Sequence, residues 1–266
     1  MSKRMEEARV LASQPLAEGV FSLLLGTSIA REAGAGQFIS AYSRDGSRLL
    51  PRPISICQIN RQQESLRLVY RVVGRGTEEF SRLRPGDRLR VLGPLGNGFS
   101  REAGTLPDCK RPILIGGGIG IPPMLGLAEA LRDRDASVDP ILVMGYRSAD
   151  LFLTDECRAA GSLYLASDDG SVGTRGTVMD AIREQKLAGD AIFACGPKPM
   201  LRAVKAYAGR EDLPCFISME ERMACGIGAC LACVCKTLVL DDHSGVMNSR
   251  VCADGPVFDA RKVDLS

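Results

Sequence analysis

The sequence predicts a multidomain β and α/β chain with an N-terminal antiparallel β-barrel, a parallel α/β nucleotide-binding domain and a small C-terminal metal-cluster subdomain. Three observations carry this. Short β-branched and apolar runs broken by Gly, Pro, Asn or Asp crowd the chain up to about Leu95. Strand–helix alternation takes over from about Arg111, and four cysteines gather near the C-terminus. The corresponding boundaries are residues 1–100, 101–212 and 213–266. At 266 residues the chain is long enough for two domains with cores of their own and an appendage.

The β signals are Val20–Leu25, Gln37–Tyr42, Ile54–Cys57, Ser65–Val73 and Arg88–Leu92. Leu66, Leu68, Tyr70 and Val72 alternate with Arg67, Val69, Arg71 and Val73, the period of a strand. Several short strands separated by turns, such as Pro85-Gly86-Asp87, suggest a barrel. Two segments in it look suited to a phosphate-bearing flavin. Arg52-Pro53-Ile54-Ser55 sets a guanidinium and a hydroxyl on or beside a strand. Gly74-Arg75-Gly76-Thr77 then opens a short helix expected over Thr77–Leu83, with Thr77 as N-cap and free amides facing an anion. Taken singly, the first is a surface Arg beside a strand-edge Pro and the second a capped turn. Together, one strand apart, they point to a site.

In the second domain Pro112–Ile115, Asp139–Gly145 and Ala191–Cys195 read as strands and Pro122–Leu131 as a helix, the pattern of a sheet covered on both faces. The loop Gly116-Gly117-Gly118-Ile119-Gly120-Ile121-Pro122-Pro123 follows the first strand, where a dinucleotide pyrophosphate meets a helix N-terminus. Ile121 replaces the third glycine of the usual fingerprint, so this turn alone is weak evidence. Cys195-Gly196-Pro197 closes a later strand at the sheet edge where ligands of such folds bind. The same glycines and prolines interrupt the uncharged stretch Ile113–Ala128, which is also short for a membrane span.

The cysteines stand as Cys225-Gly-Ile-Gly-Ala-Cys230-Leu-Ala-Cys233, with a return at Cys252. Three thiolates on one loop and a fourth from a later segment match the plant-type [2Fe–2S] spacing, whereas structural zinc draws on two short-spaced pairs. Gly226 and Gly228 can take positive φ and turn amides toward cluster sulfurs. Cys235, two residues past Cys233, stays open as the third ligand. Disulfides fit poorly, because Met1-Ser-Lys-Arg-Met-Glu-Glu has no apolar leader; a cytoplasmic protein is expected. The single histidine, His243, lies in the polar turn Asp241–Gly245, so the chemistry is expected from cofactors rather than from a hydrolase triad. Net charge is +2 without a long basic run, against a nucleic-acid partner.

In this order the motifs resemble the ferredoxin–NADP reductase superfamily, and the C-terminal cysteine run with Val251-Cys252-Ala253-Asp254-Gly255-Pro256 is similar to the electron-transfer subunits of type B dihydroorotate dehydrogenase. The resemblance covers residues 8–262. It implies FAD on Arg52, Pro53, Ile54, Ser55, Val69, Tyr70, Arg71, Gly76 and Thr77. It implies NAD, as co-substrate, at Gly116, Gly117, Gly118, Gly120, Cys195, Gly196 and Pro197, and a [2Fe–2S] cluster on Cys225, Cys230, Cys233 and Cys252. It further implies an FMN-containing dihydroorotate dehydrogenase catalytic subunit as partner, two of each in a heterotetramer. Electrons would pass from that subunit through cluster and FAD to NAD+ in pyrimidine (UMP) biosynthesis. No membrane partner is expected. Choice of NAD over NADP rests mainly on this resemblance; Arg147 could meet a 2′-phosphate, Asp150 argues against one, Asp168 and Asp169 are expected near the site, and each could equally be a solvated loop charge. Two alternatives remain at this stage: a related flavin and iron–sulfur subunit of an NADPH–ferredoxin or sulfide oxidoreductase, and a zinc-stabilised nucleotide-binding regulator.

Overall fold

The computed structural model describes residues 3–241 and 245–266; His243 lies outside them. Strands β1 (Arg4–Ala17), β2 (Val20–Gly26), β3 (Phe38–Ala41), β4 (Arg52–Asn60), β5 (Ser65–Arg71) and β6 (Arg88–Leu95) close into an antiparallel barrel in the order β1-β2-β5-β4-β3-β6. The period-2 reading of β5 holds. Leu66, Leu68 and Tyr70 join Ile39, Ile54 and Ile56 in the barrel core, leaving Arg67, Val69 and Arg71 on the outer face.

No single run within residues 4–17 reads as a strand, because Arg, Glu, Ser and Gln interrupt its apolar positions. Closure of the barrel nevertheless depends on it: β1 pairs with β2 along one edge and β6 along the other, burying Ala8 and Val10. Its two register shifts lie beside Val10 and Pro15, so the proline sits where the ladder is already broken.

Helix α1 (Arg75–Ser81) begins two residues before the expected start, which corrects the expected role of Thr77. Thr77 is the third helical residue. Its Oγ1 accepts from the amides of Val73 (3.0 Å) and Gly74 (3.3 Å), ahead of the helix, instead of capping amides inside it. One turn on, Phe80 is fully buried edge-on to Tyr70 at 6.3 Å, anchoring α1 to the barrel end.

The second domain comprises β7 (Ile113–Gly117), α2 (Ile121–Arg134), β8 (Ile141–Tyr146), α3 (Thr154–Ala160), β9 (Ser162–Ser167), β10 (Thr174–Arg175), α4 (Val178–Glu184), β11 (Ile192–Cys195), α5 (Lys198–Arg210) and β12 (Cys215–Ser218). After these come β13 (Val234–Lys236), β14 (Asn248–Arg250) and β15 (Val257–Asp259). The sheet runs β10-β9-β8-β7-β11-β12-β15, parallel except for β15. Both faces are covered: Ile113, Ile115, Ile141 and Val143 pack on one side, Leu114, Leu142 and Met144 on the other. Chain order reverses between β7 and β11, the switch point at which such sheets open a ligand crevice.

Two strands from the segment expected to form the C-terminal subdomain, β12 and β15, extend this sheet; only β13 and β14 pair apart from it. Barrel and sheet meet where α2 crosses β4. A Cβ on Gly126 would stand 2.0 Å from the Cys57 carbonyl oxygen, so glycine is what permits the approach. Around it Gln58 donates to Glu129 (2.6 Å), and Arg67 reaches Gln58 (2.9 Å) and Glu156 (3.3 Å).

Candidate functional site

The outer face of the barrel assembles the flavin candidates. Phe38 pairs with Ser55 and Ser40 with Pro53 across β3 and β4, while Ile39 and Ala41 point into the core; Phe38, Ser40, Pro53 and Ser55 therefore share one outward face. Arg52 opens β4 with its guanidinium laid on Gly76: a Cβ there would come within 2.6 Å of Nε. The two motif segments thus meet directly. Arg52 also donates to the carbonyls of Leu50 and Pro51. Ile54 and Tyr70 differ from the rest, since their side chains belong to the barrel core; only their backbones border the outer face. The Tyr70 hydroxyl is buried without a partner among the described residues, and burial holds the phenol firmly un-ionised. Val69, on the outer face, lies in the apolar cluster into which Ile119 of the glycine-rich loop packs.

At the switch point the two predicted loops touch. A Cβ on Gly120 would fall 2.1 Å from the Cys195 carbonyl oxygen, and one on Gly117 would meet Met200 and Pro197 at 2.6 and 3.1 Å. Gly196 approaches the Cα of Gly117 in the same way, at 3.2 Å. Gly118, at φ +54°, faces open space and is the point of this loop with room for a ligand. The Cys195 thiol is buried; burial, aided by Glu220, pushes its ionisation far up and keeps it neutral. Of the carboxylates weighed for the ribose, Asp150 accepts from the Glu18 amide at 3.0 Å and Asp169 from Ser171, so both have structural partners. Asp168 and Arg147 are exposed at the ends of β9 and β8.

The four cysteines converge. Gly226 and Gly228 take φ of +69° and +89°, as the sequence suggested. This turn aims the amides of Ile227 (3.4 Å) and Ala229 (3.3 Å) at Cys225 Sγ, and that of Gly228 (3.1 Å) at Cys252 Sγ. For Cys225, burial acts to raise the pKa, but the Ile227 amide, the Cys230 thiol and the amides of Cys230 and Ala229 outweigh it, leaving the thiol at about 6. For Cys252, burial and the Cys233 thiol act together and push it up to about 12. The Cys252 amide donates to Cys233 Sγ at 3.4 Å. Cys235 lies elsewhere, paired with Ser249 between β13 and β14, its thiol raised to about 11 by burial and then by Glu221. Among the described residues no three His, Cys, Asp or Glu side chains are arranged to hold one metal ion.

Sequence reasoning missed the groups that seat this loop. Asn97, just past β6, donates its side-chain amide to Ala253 O (2.9 Å) and accepts from the Val257 amide (3.4 Å). Arg250 forks onto Asp254 (3.0 and 3.1 Å) and reaches Gly228 O at 3.1 Å. The Arg250–Asp254 spacing of four was visible in the sequence; Asn97 looks like any Gly-Asn-Gly turn. Ser40 was passed over as part of an apolar run, yet a Cβ on Gly226 would stand 2.9 Å from its Oγ, so the cysteine loop rests on the barrel there.

A barrel whose outer face opens toward a nucleotide-binding sheet defines a flavin-dependent, nicotinamide-linked reductase architecture. The structure of an NADH-dependent reduced ferredoxin–NADP oxidoreductase, described for flavin-based electron bifurcation, superposes with TM-score 0.85 at 27% identity, over 98% of this chain and 90% of that one. A ferredoxin–NADP+ reductase from Neisseria gonorrhoeae shares the fold at TM-score 0.63 and 16% identity, over 79% of this chain and 91% of that one. An oxidoreductase NAD-binding domain matches residues 114–206, and the iron–sulfur cluster binding domain of dihydroorotate dehydrogenase B matches residues 220–264. The dihydroorotate dehydrogenase B (NAD(+)) electron transfer subunits of Geobacillus thermodenitrificans and Listeria monocytogenes are each 42% identical, over 98% and 97% of this chain and 98% of theirs. The chain belongs to this family of dihydroorotate dehydrogenase B electron-transfer subunits. It is an oxidoreductase subunit. Among the described residues no helix is long and apolar enough to cross a membrane.

Proposed function

We propose that this chain links an FMN-containing dihydroorotate dehydrogenase catalytic subunit to NAD+ in pyrimidine biosynthesis, with FAD on the outer face of β4 and a [2Fe–2S] cluster on Cys225, Cys230, Cys233 and Cys252. FAD supplies the chemistry that joins the other two groups, exchanging a hydride with a nicotinamide and single electrons with a cluster. One observation carries the reading: the strand order β5-β4-β3. Through Val69 on β5 the β4 face borders the nucleotide loop, and through Ser40 on β3 it borders the cysteine loop. A ring on Pro53 and Ser55 would stand between the two.

In this reading Arg52, held against Gly76, meets the flavin pyrophosphate, and Gly116, Gly117, Gly118 and Gly120 with Cys195, Gly196 and Pro197 cradle the dinucleotide. NAD is favoured over NADP by the family. The four-then-two spacing of the cysteines and the matched iron–sulfur cluster binding domain favour a [2Fe–2S] cluster over one tetrahedral zinc. Cys233 is taken as the third ligand, since its Sγ accepts from the Cys252 amide while Cys235 lies in β13 opposite Ser249. The partner docks on Ala224–Leu231, in a cytoplasmic complex of two subunits of each kind. That surface exposes Ile227 and Leu231, and Leu231 is held at φ +54°, a conformation unusual for leucine. Exposed Leu238, Leu240 and Met247 extend the apolar surface near β13 and β14.

The test is co-expression with the catalytic subunit, then absorption spectroscopy with iron, sulfide and flavin analysis, and an assay of NADH-linked orotate reduction. Two irons, two sulfides and one FAD per chain with orotate reduction is the expected result. A colourless zinc protein, or full dihydroorotate oxidation by this chain alone, would overturn the reading.

A further inference from the structure

We infer that Arg250 is a positioning residue of the cysteine site, favouring cluster reduction through the single peptide that joins Gly228 to Ala229. The inference rests on the cofactor reading above and concerns a residue that ligates nothing. That peptide is held from both sides. Its carbonyl, Gly228 O, accepts from Arg250 Nη1 at 3.1 Å, and its amide, Ala229 N, donates to Cys225 Sγ at 3.3 Å. A trans peptide points its C=O and N–H in opposite directions, so Arg250 and Cys225 face the two edges of one plane. A hydrogen bond accepted at the carbonyl polarises the peptide and strengthens the bond that its N–H donates. The preceding amide, Gly228 N, donates to Cys252 Sγ at 3.1 Å, so one short turn serves sulfurs from both cysteine segments.

Arg250 is itself fixed. Its Nε and Nη2 fork onto the Asp254 carboxylate at 3.1 and 3.0 Å, and its backbone amide donates to the same carboxylate at 2.7 Å. The amides of Ala253 and Asp254 return to Arg250 O at 3.1 and 2.8 Å, closing the turn that carries Cys252. Nη1 is left to reach across to the other cysteine loop. Gly228, at φ +89°, lets the two loops close, because a Cβ there would stand 2.8 Å from that of Ala253.

Tying two loops together would not require any particular peptide to be held. Here the oxygen that Arg250 holds belongs to the peptide whose hydrogen faces a cysteine sulfur. Reduction adds one electron to a [2Fe–2S] cluster, and hydrogen bonds to its sulfurs favour the reduced form. The guanidinium charge acts in the same direction, but Asp254 opposes it, and the two side chains are 33% and 28% exposed. The peptide therefore carries the larger share of the effect.

The experiment compares Arg250→Met, Arg250→Lys and Asp254→Asn with the natural chain, each co-expressed with the catalytic subunit. The cluster is titrated by electron paramagnetic resonance, and iron and sulfide are measured on the same samples. Arg250→Met removes every donor and should lower the midpoint by about tenfold in the reduction equilibrium, about 59 mV for a one-electron couple. Arg250→Lys keeps a cation able to donate to Gly228 O and should fall between Arg250→Met and the natural value. Asp254→Asn keeps that donor and removes the opposing charge, so its midpoint should rise, by about threefold. Opposite signs from the two halves of one ion pair distinguish this role from a structural clamp, whose loosening would act alike in both. A midpoint unmoved or raised in Arg250→Met, or unmoved or lowered in Asp254→Asn, would overturn the inference. Should Arg250→Met lose its iron, Arg250→Lys and Asp254→Asn decide by the same signs. A natural complex without two irons and two sulfides per chain is instead a failure of the cofactor reading.

Discussion

Replacing Gly126 by alanine sets two calculable effects against each other. Inside an exposed helix the change would stabilise, because alanine exceeds glycine in helix propensity by about 1 kcal/mol. Gly126 lies in α2 against β4, and the new Cβ would start 2.0 Å from the carbonyl oxygen of Cys57. Carbon–oxygen contacts settle at about 3.3–3.6 Å, so barrel and sheet must separate locally by more than 1 Å. The obstacle is backbone, which cannot rotate away as a side chain would. Overpacking of this kind costs about 1–3 kcal/mol, and the shift also strains the 2.6 Å bond from Gln58 to Glu129 one turn away. The clash should win, giving a lower melting temperature. It should also affect function, since an ångström of misalignment between reacting groups can cost about 100-fold in rate. Rapid-mixing measurement of flavin reduction by NADH, alongside thermal unfolding, tests both consequences. A variant as stable as the natural chain or more so, with an unchanged flavin reduction rate, would refute the reasoning.

Other substitutions separate the roles of neighbouring residues. Cys252→Ser should abolish the visible iron–sulfur absorbance, whereas Cys235→Ser should keep it and lose only about 1–2 kcal/mol of stability in urea unfolding. Gly76→Ala places a Cβ 2.6 Å from Arg52 Nε and should displace the guanidinium, read as a lower ratio of FAD to protein after gel filtration with iron content unchanged. Burial holds the Glu129 carboxyl above its ordinary 4.5, against the opposing hydrogen bond from Gln58. The folded state therefore binds that proton more tightly than the unfolded chain, and ionisation costs stability as pH rises past 4.5. Glu129→Gln should accordingly melt higher than the natural chain at pH near 7, with the gap closing as pH falls through the carboxylate range; a gap independent of pH would contradict the assignment.

What was legible in the sequence was whatever the backbone alone decides. Gly226 and Gly228 announced positive φ, Gly116–Gly120 announced a turn after a strand, and the alternation from Leu66 to Val73 announced which side chains enter the barrel. Side-chain direction beyond that period was harder: Ile54 and Tyr70 sit inside motifs but point into the core. Thr77 read as a cap because threonine before acidic residues commonly is one, yet its hydroxyl serves amides on the other side. Strands β12 and β15 were hidden by brevity. Cys-Phe-Ile-Ser and Val-Phe-Asp are too short to show a period, and each is a strand only because a neighbour supplies the other half of its hydrogen bonds. Ser40 was invisible for a different reason, since its contact with the cysteine loop is a property of three dimensions.

Those short strands also explain how the cysteine region holds its shape. A hairpin of two three-residue strands, β13 and β14, cannot be stable alone. Its fixed points come from both larger domains. β15 adds to the sheet through β12, and Asn97 ties the Cys252 turn to the end of the barrel. Cys233, Val251 and Cys252 are buried in one apolar cluster with Phe38 and Leu95 of the barrel and Ile217 and Met219 of the sheet segment. The loop that carries the cysteines is thus a strap across the barrel–sheet boundary. Formation of a cluster on its thiols would draw on contacts that also fix the β4 face against the nucleotide loops, so free energy of cluster binding becomes free energy of alignment for the flavin and nicotinamide sites.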